Sequence, residues 1–208
     1  MPEPIIYVVD DDDAVRQSLE FLLLTAGIKS RGFESARAFF EALPDINGGC
    51  VITDVRMPEI TGIDLLKRVK QDKPNLPVIV ITGHGDVSLA VEAMKIGAID
   101  FLEKPFDDDV LITAVKSALN NVTNADNRTA ELGAINEKLA ALSNRERQVL
   151  DGLVAGQPNK TIAFDLGISP RTVEIYRANL MTKMAANSLS DLVRMAMLAN
   201  IMRDTGKA

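Results

Sequence analysis

Polar residues that could handle a phosphoryl group follow four apolar runs of the sequence. Asp10 and Asp11 follow IIYVV, Asp54 follows CVIT, Thr82 ends VIVIT, and Lys104 follows IDFLE. Two adjacent carboxylates repel each other, which is tolerable mainly where a cation lies between them and a third ligand. Their oxygens suit Mg2+, and an ammonium beside such a cation makes sense if a phosphoryl group bridges the two. These residue types therefore predict phosphoryl chemistry, provided that the fold brings them together.

The other two aspartates of the run DDDD have a simpler interpretation. Asp12 and Asp13 stand where a helical pattern begins. Carboxylates at that position are usually solvated and are stabilised by the helix dipole. We therefore assign them no part in the site.

Alternating strand and helix patterns predict the fold that would gather the site. Strong strand patterns occur at 5–9, 50–53 and 78–82 and weaker ones at 28–33 and 99–103, with helical periodicity between them. Strands that alternate with helices predict an α/β fold, with a parallel sheet covered on both faces. Such sheets bind ligands at the carboxyl ends of their strands, which is where all five polar residues lie.

Length and composition predict two globular domains. The chain has 208 residues, of which 47% are hydrophobic and 25% charged, and its single cysteine, Cys50, excludes an internal disulfide. No apolar run reaches the roughly 20 residues of a membrane span. The N-terminus also lacks the basic start of a signal peptide, so we expect a cytoplasmic protein without membrane insertion. Residues 1–124 carry 12 basic and 20 acidic side chains, whereas residues 125–208 carry 11 and 9, which predicts different partners for the two ends.

Residues 1–120 resemble the receiver domain of two-component response regulators. The motifs that match in spacing are the acidic pair, the acceptor Asp54 with the following Met57-Pro58, the hydroxyl of Thr82, and Lys104-Pro105. The resemblance implies a flavodoxin-like sheet with strand order 2-1-3-4-5.

The resemblance also implies a role for each residue of the site. Asp54 would be the phosphoacceptor, Thr82 and Lys104 would contact the phosphoryl group, and Phe101 would turn inward as Thr82 moves. The implied Mg2+ ligands are Asp10, Asp11, Asp54 and the backbone carbonyl of Arg56. His84 is the only histidine of the chain, and we assign it no catalytic role.

Two other functions remain open for such a site. A Mg2+-dependent phosphohydrolase could also use an aspartyl phosphate, but it would need a second carboxylate two residues after the acceptor, where this chain has Arg56. The chain could also be a phosphate-dependent protein-interaction module whose tail does not bind DNA. We expect no enzyme acting on a separate substrate, only self-phosphorylation on Asp54 and slow self-dephosphorylation.

The last part of the chain has the pattern of a small helical domain. Residues 121–141 predict a helical linker, and residues 142–208 show helix caps and no strand patterns. Ser143 and Glu146 have the spacing of a capping box, Gly167 suits a helix end, and Ser169-Pro170 suits the start of the next helix. A helix, a tight turn with glycine and a longer helix form the helix-turn-helix plan.

The second of these helices has one apolar face and one face that suits DNA. Val173, Tyr176, Leu180 and Met184 share a stripe that predicts the buried side. Small, apolar and cationic side chains on the opposite side can meet bases and phosphates in a major groove. The predicted DNA-binding residues are Lys160, Ser169, Arg171, Thr172, Glu174, Ile175, Arg177, Ala178, Thr182 and Lys183.

Residues 142–198 resemble the LuxR-type DNA-binding domain through LSNRERQVL, NKTIA, ISPRTVE and SLSDLVRMAM. Together the two resemblances indicate a response regulator of the FixJ/NarL family. They imply a phosphorylation-activated transcription factor with a sensor histidine kinase, a DNA operator and RNA polymerase as partners. They also imply an oxygen-sensing haem kinase and a role in nitrogen fixation. Phosphorylation would create a homodimer in which Val91 meets its twin and Lys95 meets the partner's Asp100.

Overall fold

The structure is a computed structural model that describes residues 4–83, 87–121 and 125–205, with residues 87, 121, 125–132 and 200–205 described by their backbone alone. The chain folds into two compact units. The first unit holds Met1–Gly85 and Lys95–Thr123, and the second holds Asp86–Met94 and Asn124–Ala208. His84 lies outside the described residues. No helix in the described part of the chain is long and apolar enough to cross a membrane.

A five-stranded parallel sheet forms the centre of the first unit. Its strands are β1 (Ile6–Val9), β2 (Ser30–Phe33), β3 (Cys50–Asp54), β4 (Val78–Thr82) and β5 (Asp100–Glu103). They lie in the order β2-β1-β3-β4-β5 and pair in parallel throughout. All five predicted strands are confirmed within one or two residues, and so is the predicted strand order.

Helices connect these strands. They are α1 (Asp13–Thr25), α2 (Ala36–Ala42) with a short 3-10 turn at Leu43–Asp45, α3 (Gly62–Asp72), α4 (Val87–Ile96) and α5 (Asp108–Asn121). Leu19 and Leu23 of α1 and Leu111 of α5 pack against alternate strand residues such as Ile52 and Ile79. Because successive strand residues point to opposite faces, the remaining strand residues form a second buried layer, which α2 and α3 contact.

Besides most of α4, which lies within Asp86–Met94, the second unit contains α6 (Ala125–Ala140), α7 (Asn144–Val154), α8 (Asn159–Leu166), α9 (Pro170–Met184) and α10 (Leu189–Thr205). The predicted capping box is present, since the Ser143 side chain accepts from the Glu146 amide and the Glu146 side chain accepts from the Ser143 amide. Gly167 ends α8 in the left-handed conformation, with φ 64°. The Ser169 side chain accepts from the Thr172 amide and begins α9, with Pro170 in the first turn. The sequence signals for a helix-turn-helix are therefore all confirmed.

The core of the second unit begins earlier in the chain than the predicted domain boundary at residue 142. Ile135 of α6 is 3% exposed and belongs to the same buried cluster as Val173, Leu180 and Met184 of α9. Leu139 packs against this cluster. The second half of α6, predicted as part of a linker, is therefore a structural part of the helical unit.

Candidate functional site

Two of the predicted acidic residues, Asp10 and Asp54, meet at the carboxyl edge of the sheet. Because β1, β3 and β5 are parallel members of one sheet, their carboxyl ends lie at the same edge. Lys104, directly after β5, places its Nζ 2.8 Å from Oδ1 of Asp54 and 3.2 Å from Oδ2 of Asp10. A single ammonium thus joins the carboxylates that follow two neighbouring strands.

Backbone amides hold the other oxygen of each carboxylate. The Asp12 amide donates to Oδ1 of Asp10 over 3.0 Å, and the Arg56 amide donates to Oδ2 of Asp54 over 2.6 Å. Each carboxylate is therefore fixed at both oxygens, one by a local amide and one by Lys104. This fixes the direction in which Asp54 presents its oxygens.

Burial and charge oppose each other in this cluster. Asp10 is 3% exposed, and burial raises the pKa of its carboxyl, an effect that the Asp12 amide and the charge of Lys104 offset only in part. Burial disfavours the charge of Lys104, but its hydrogen bond to Asp54 and the charge of Asp10 together raise the pKa of the ammonium. Lys104 therefore stays cationic at neutral pH.

The other predicted receiver residues lie in different surroundings. Thr82 ends β4 and is 1% exposed, and Phe101 on β5 is 4% exposed, so its ring is already buried in this structure. Asp11 is exposed, and Asp12 caps α1 by accepting from the amides of Ala14 and Val15, as the pattern of a helix start predicted. Asp13 lies in the first turn of α1.

The residues of the site fit a hard divalent cation by their donor chemistry. Within the described residues, no group of three or more His, Cys, Asp or Glu side chains is arranged to hold a metal. Mg2+ needs fewer side chains, since it keeps several waters and takes one or two carboxylates directly. Asp10, Asp11 and Asp54 with Lys104 leave two uncompensated negative charges, which one divalent cation would neutralise.

Two residues that the sequence analysis missed support the site. A Cβ at Gly62 would lie 2.0 Å from the carbonyl oxygen of Asp54, so only glycine lets α3 begin this close to Asp54. Arg16 of α1 donates from Nη1 to the carbonyl oxygen of Asp10 over 2.7 Å and also pairs with Asp13. The position of Gly62 directly after the helix cap Thr61 was the available signal; nothing in the local sequence indicated the contact of Arg16.

The predicted DNA-binding face of α9 points outward. Arg171, Glu174, Ile175, Ala178 and Thr182 are exposed, and Ile175 is 56% exposed although it is a large apolar residue. On the opposite side Val173, Leu180 and Met184 are fully buried, and Tyr176 is half-buried against the same cluster. The predicted division of the helix into a buried and an outward face is confirmed.

The remaining predicted DNA contacts are placed as follows. Lys160 is exposed, and Ser169 and Thr172 share the cap of α9. Arg177 donates to Oδ1 of Asn159 over 3.1 Å. The ammonium of Lys183 lies 2.8 Å from Oε2 of the buried Glu146, so it has a partner within the protein.

Comparisons with known proteins agree with this architecture. A model of the response regulator receiver domain matches residues 6–116, and one of the luxR family of bacterial regulatory proteins matches residues 140–196. The chain is 55% identical over 199 residues to the transcriptional regulatory protein FixJ of Bradyrhizobium diazoefficiens, covering 96% of this chain and 97% of that protein. It is 50% identical over 197 residues to FixJ of Rhizobium meliloti, covering 95% and 97%. The crystal structure of full-length FixJ from B. japonicum matches with a TM-score of 0.57 and 54% identity, covering 97% of this chain and 99% of that one.

The two units together define a phosphorylation-activated, DNA-binding transcriptional regulator. The chain belongs to the FixJ/NarL family of two-component response regulators, which join a receiver domain to a LuxR-type DNA-binding domain. The phosphohydrolase and the interaction module without DNA binding are not favoured, because the second matched domain is a DNA-binding one.

Proposed function

We propose that Asp54 accepts a phosphoryl group from a sensor histidine kinase and that this modification activates the DNA-binding unit. The observation that carries the proposal is the ammonium of Lys104 in contact with both Asp54 and Asp10. An Asp54 oxygen attacks phosphorus as the P–N bond of the kinase phosphohistidine breaks, and the imidazole keeps the electron pair. Lys104 offers its positive charge to the oxygens of the transferred group.

Asp10, Asp11, Asp54 and the carbonyl of Arg56 are the residues that would hold Mg2+. When bound, the cation supplies positive charge that lets an anionic carboxylate approach an anionic phosphoryl group. The Arg56 amide fixes the carboxylate of Asp54. Asp10 is largely shielded from water. Thr82 is the hydroxyl proposed to contact the phosphoryl group.

Replacement of the acceptor tests this assignment. Asp54→Asn should abolish labelling by acetyl phosphate in Mg2+, because an amide is a poor nucleophile. Lys104→Ala should leave some labelling but weaken the activation that phosphorylation causes. A matched control is Asp72→Asn, an exposed aspartate on α3 that pairs with Arg68. Equal labelling of Asp54→Asn and the parent at a hydroxylamine-sensitive site would contradict the proposal.

Phosphorylation is proposed to act by pairing two receiver domains. Val91 meets its twin and Lys95 meets Asp100 of the second copy, with Thr82 and Phe101 as the switch. Val91 is 3% exposed and Lys95 is exposed in the single chain, so this pairing requires Val91 to become accessible first. A dimer raises the effective concentration of the DNA-binding domains at a two-fold operator.

Sedimentation with and without acetyl phosphate tests the pairing. The parent should become dimeric, and Lys95→Glu should remain monomeric. Adding Asp100→Lys in the same chain should restore the dimer, since the ion pair then re-forms with reversed charges. A parent that stays monomeric, or a Lys95→Glu protein that dimerises like the parent, contradicts this mechanism.

The outward face of α9 is proposed to read the operator. Arg171, Glu174, Ile175 and Ala178 present exposed side chains of the types that meet bases and thymine methyl groups. Lys160 and Arg177 would contact phosphates, and Lys183 could do so only through a side chain that Glu146 already engages. RNA polymerase is the proposed partner at the promoter.

The likeness to FixJ supports a FixL-like, haem-based oxygen sensor as the kinase and nitrogen fixation as the process, in a cytoplasmic setting. Phosphate transfer from such a kinase, compared with transfer from an unrelated histidine kinase, tests the first of these. Slow transfer from the FixL-like kinase and fast transfer from the other would contradict it.

A further inference from the structure

Helix α6 makes more than apolar contacts with the helix that presents the DNA-binding face. Nζ of Lys138 on α6 lies 3.0 Å from the carbonyl oxygen of Met184, the last residue of α9. Carbonyls in the last turn of a helix have no partner within that helix, and a cation there also complements the helix dipole. Lys138 therefore stabilises the end of α9 from outside.

This helix end benefits from such a partner because of the residue that follows. Ala185 adopts the left-handed conformation with φ 50°, which a residue with a Cβ adopts at a cost. Its amide donates back to the carbonyls of Met181 and Thr182. The contact from Lys138 helps to hold the chain where it leaves α9.

Two further charged contacts connect the same helices. The ammonium of Lys183 on α9 lies 2.8 Å from Oε2 of Glu146 on α7. Nη2 of Arg147 on α7 donates to the carbonyl oxygen of Leu139 on α6 over 2.8 Å. Each pair among α6, α7 and α9 is thus joined by a charge-assisted contact.

Lys138 contacts the C-terminal end of α9, which is too far from Arg171 at the N-terminal end for Lys138 to read the same bases. Thirteen residues separate Arg171 from Met184, which corresponds to about 20 Å along a helix at 1.5 Å per residue. Lys138 is also half-buried, and its ammonium is engaged by a carbonyl. Its contribution to DNA binding must therefore act through the position of α9.

We propose that Lys138 is a positioning residue for DNA recognition and that the second half of α6 contributes to the function of the DNA-binding module. The contact from Lys138, together with the buried Ile135, fixes α9 against α6 and so sets how Arg171 and its neighbours meet the bases. Residues that connect the two domains in sequence thereby contribute to operator discrimination without touching DNA. This inference rests on the proposed role of the outward face of α9.

The test compares four lysine variants of the full-length, acetyl phosphate-treated protein on two DNA probes. One probe is a duplex that the parent selects from a random pool, and the other is a random duplex of equal length. Lys138→Met removes the charge and keeps the aliphatic stem, and Lys138→Arg keeps a cation. Lys116→Met makes the same change at an exposed lysine of α5. Lys160→Met shows how the loss of a proposed phosphate contact changes the affinity and the salt slope.

Lys138→Met should reduce the ratio of selected to random affinity by about tenfold, the effect of one charge-assisted hydrogen bond. Its salt slope should match the parent, whereas Lys160→Met should lower the slope by about one and weaken both probes alike. Lys138→Arg should restore most of the ratio, and Lys116→Met should leave it unchanged.

Three results would overturn the inference. In Lys138→Met these are a ratio of selected to random affinity equal to that of the parent, an equal loss of affinity on both probes, or a salt slope reduced by about one. An equal loss is what a merely unstable domain would give, and a reduced slope would make Lys138 a phosphate contact. If instead Arg171→Ala also leaves the ratio unchanged, the proposed reading face on α9 fails independently of Lys138.

Discussion

Glu146 offers a sharp test of what holds the DNA-binding unit together. The residue is 3% exposed, and its Oε2 accepts from the Ser143 amide at 2.7 Å, from the Ser143 hydroxyl at 2.8 Å and from Lys183 at 2.8 Å. We expect Glu146→Gln to destabilise the unit at pH 7, because the amide keeps the shape of the side chain but loses the charge.

The structure sets the size of the effect. A hydrogen bond to a charged group contributes about 1.5 to 3 kcal/mol, but the side chain of Lys183 is 43% exposed and can turn toward water when its partner is lost. We therefore expect a loss of about 1 to 2 kcal/mol in the free energy of unfolding. Lys183→Met should cost a similar amount, and the double variant should cost less than the sum of the two.

The effect should also depend on pH with a definite sign. The hydrogen bond from Lys183, with those from Ser143, lowers the pKa of Glu146 from 4.5 to about 2. A carboxyl whose pKa is lower in the folded state stabilises the fold above its unfolded pKa and loses that contribution as pH falls toward the folded pKa. The difference between the parent and Glu146→Gln should thus be full above pH 4.5 and shrink between pH 4.5 and 2.

Urea denaturation followed by tyrosine fluorescence can measure this for the second unit alone. The chain has no tryptophan and two tyrosines, Tyr7 on β1 and Tyr176 on α9. A Tyr7→Phe background leaves Tyr176 as the reporter. A difference between parent and Glu146→Gln that is equal at pH 7 and pH 3, or single losses that simply add, would refute the role given to this pair.

Three further predictions concern the two sites. Gly62→Ala should lower the free energy of unfolding in urea by about 1 to 3 kcal/mol and slow acetyl phosphate labelling, because its Cβ would lie 2.0 Å from the Asp54 carbonyl oxygen. Gly48→Ala, at a position with open space around it, is the control, and equal stability of the two variants contradicts the argument. Arg16→Met should weaken Mg2+ binding in calorimetry, because the Asp10 backbone loses its tether; an affinity equal to that of the parent contradicts this. Arg171→Ala should cost about 1 to 3 kcal/mol in operator binding but less on random DNA, and equal losses in competition assays would leave it no base-reading role.

The convergence of Asp10, Asp54 and Lys104 was predictable from sequence because local patterns and topology suffice for it. Strand runs are recognised from their apolar residues, and parallel strands must end at one edge. Asp10, Asp54 and Lys104 therefore had to converge, although 94 residues separate the first from the last. The pattern could not show that Lys104 contacts both carboxylates, since this depends on side-chain reach.

The contacts that fix the second unit were less predictable. The capping box gave Glu146 a local partner in Ser143, but its distant partner Lys183 is 37 residues away and follows from tertiary packing alone. The polar composition of α6 suggested a linker. Ile135, Leu139 and Leu142 nevertheless follow the i, i+4, i+7 spacing of a buried helix face, which was the signal for its place in the core.

A comparison of three carboxylates supports the proposed role of Asp54 as nucleophile. Each of them contacts a lysine ammonium, but the side chains of Asp10 and Glu146 are 4% and 5% exposed, whereas that of Asp54 is 13% exposed. One oxygen of Glu146 accepts three hydrogen bonds, while in the described part of the chain each oxygen of Asp54 accepts one. A carboxylate has about four lone-pair sites, so Asp54 retains electron pairs that can attack phosphorus. Asp10 has similar partners but is less exposed, so the exposure of Asp54 supports its proposed role as phosphoacceptor, with Asp10 proposed to hold charge beside it.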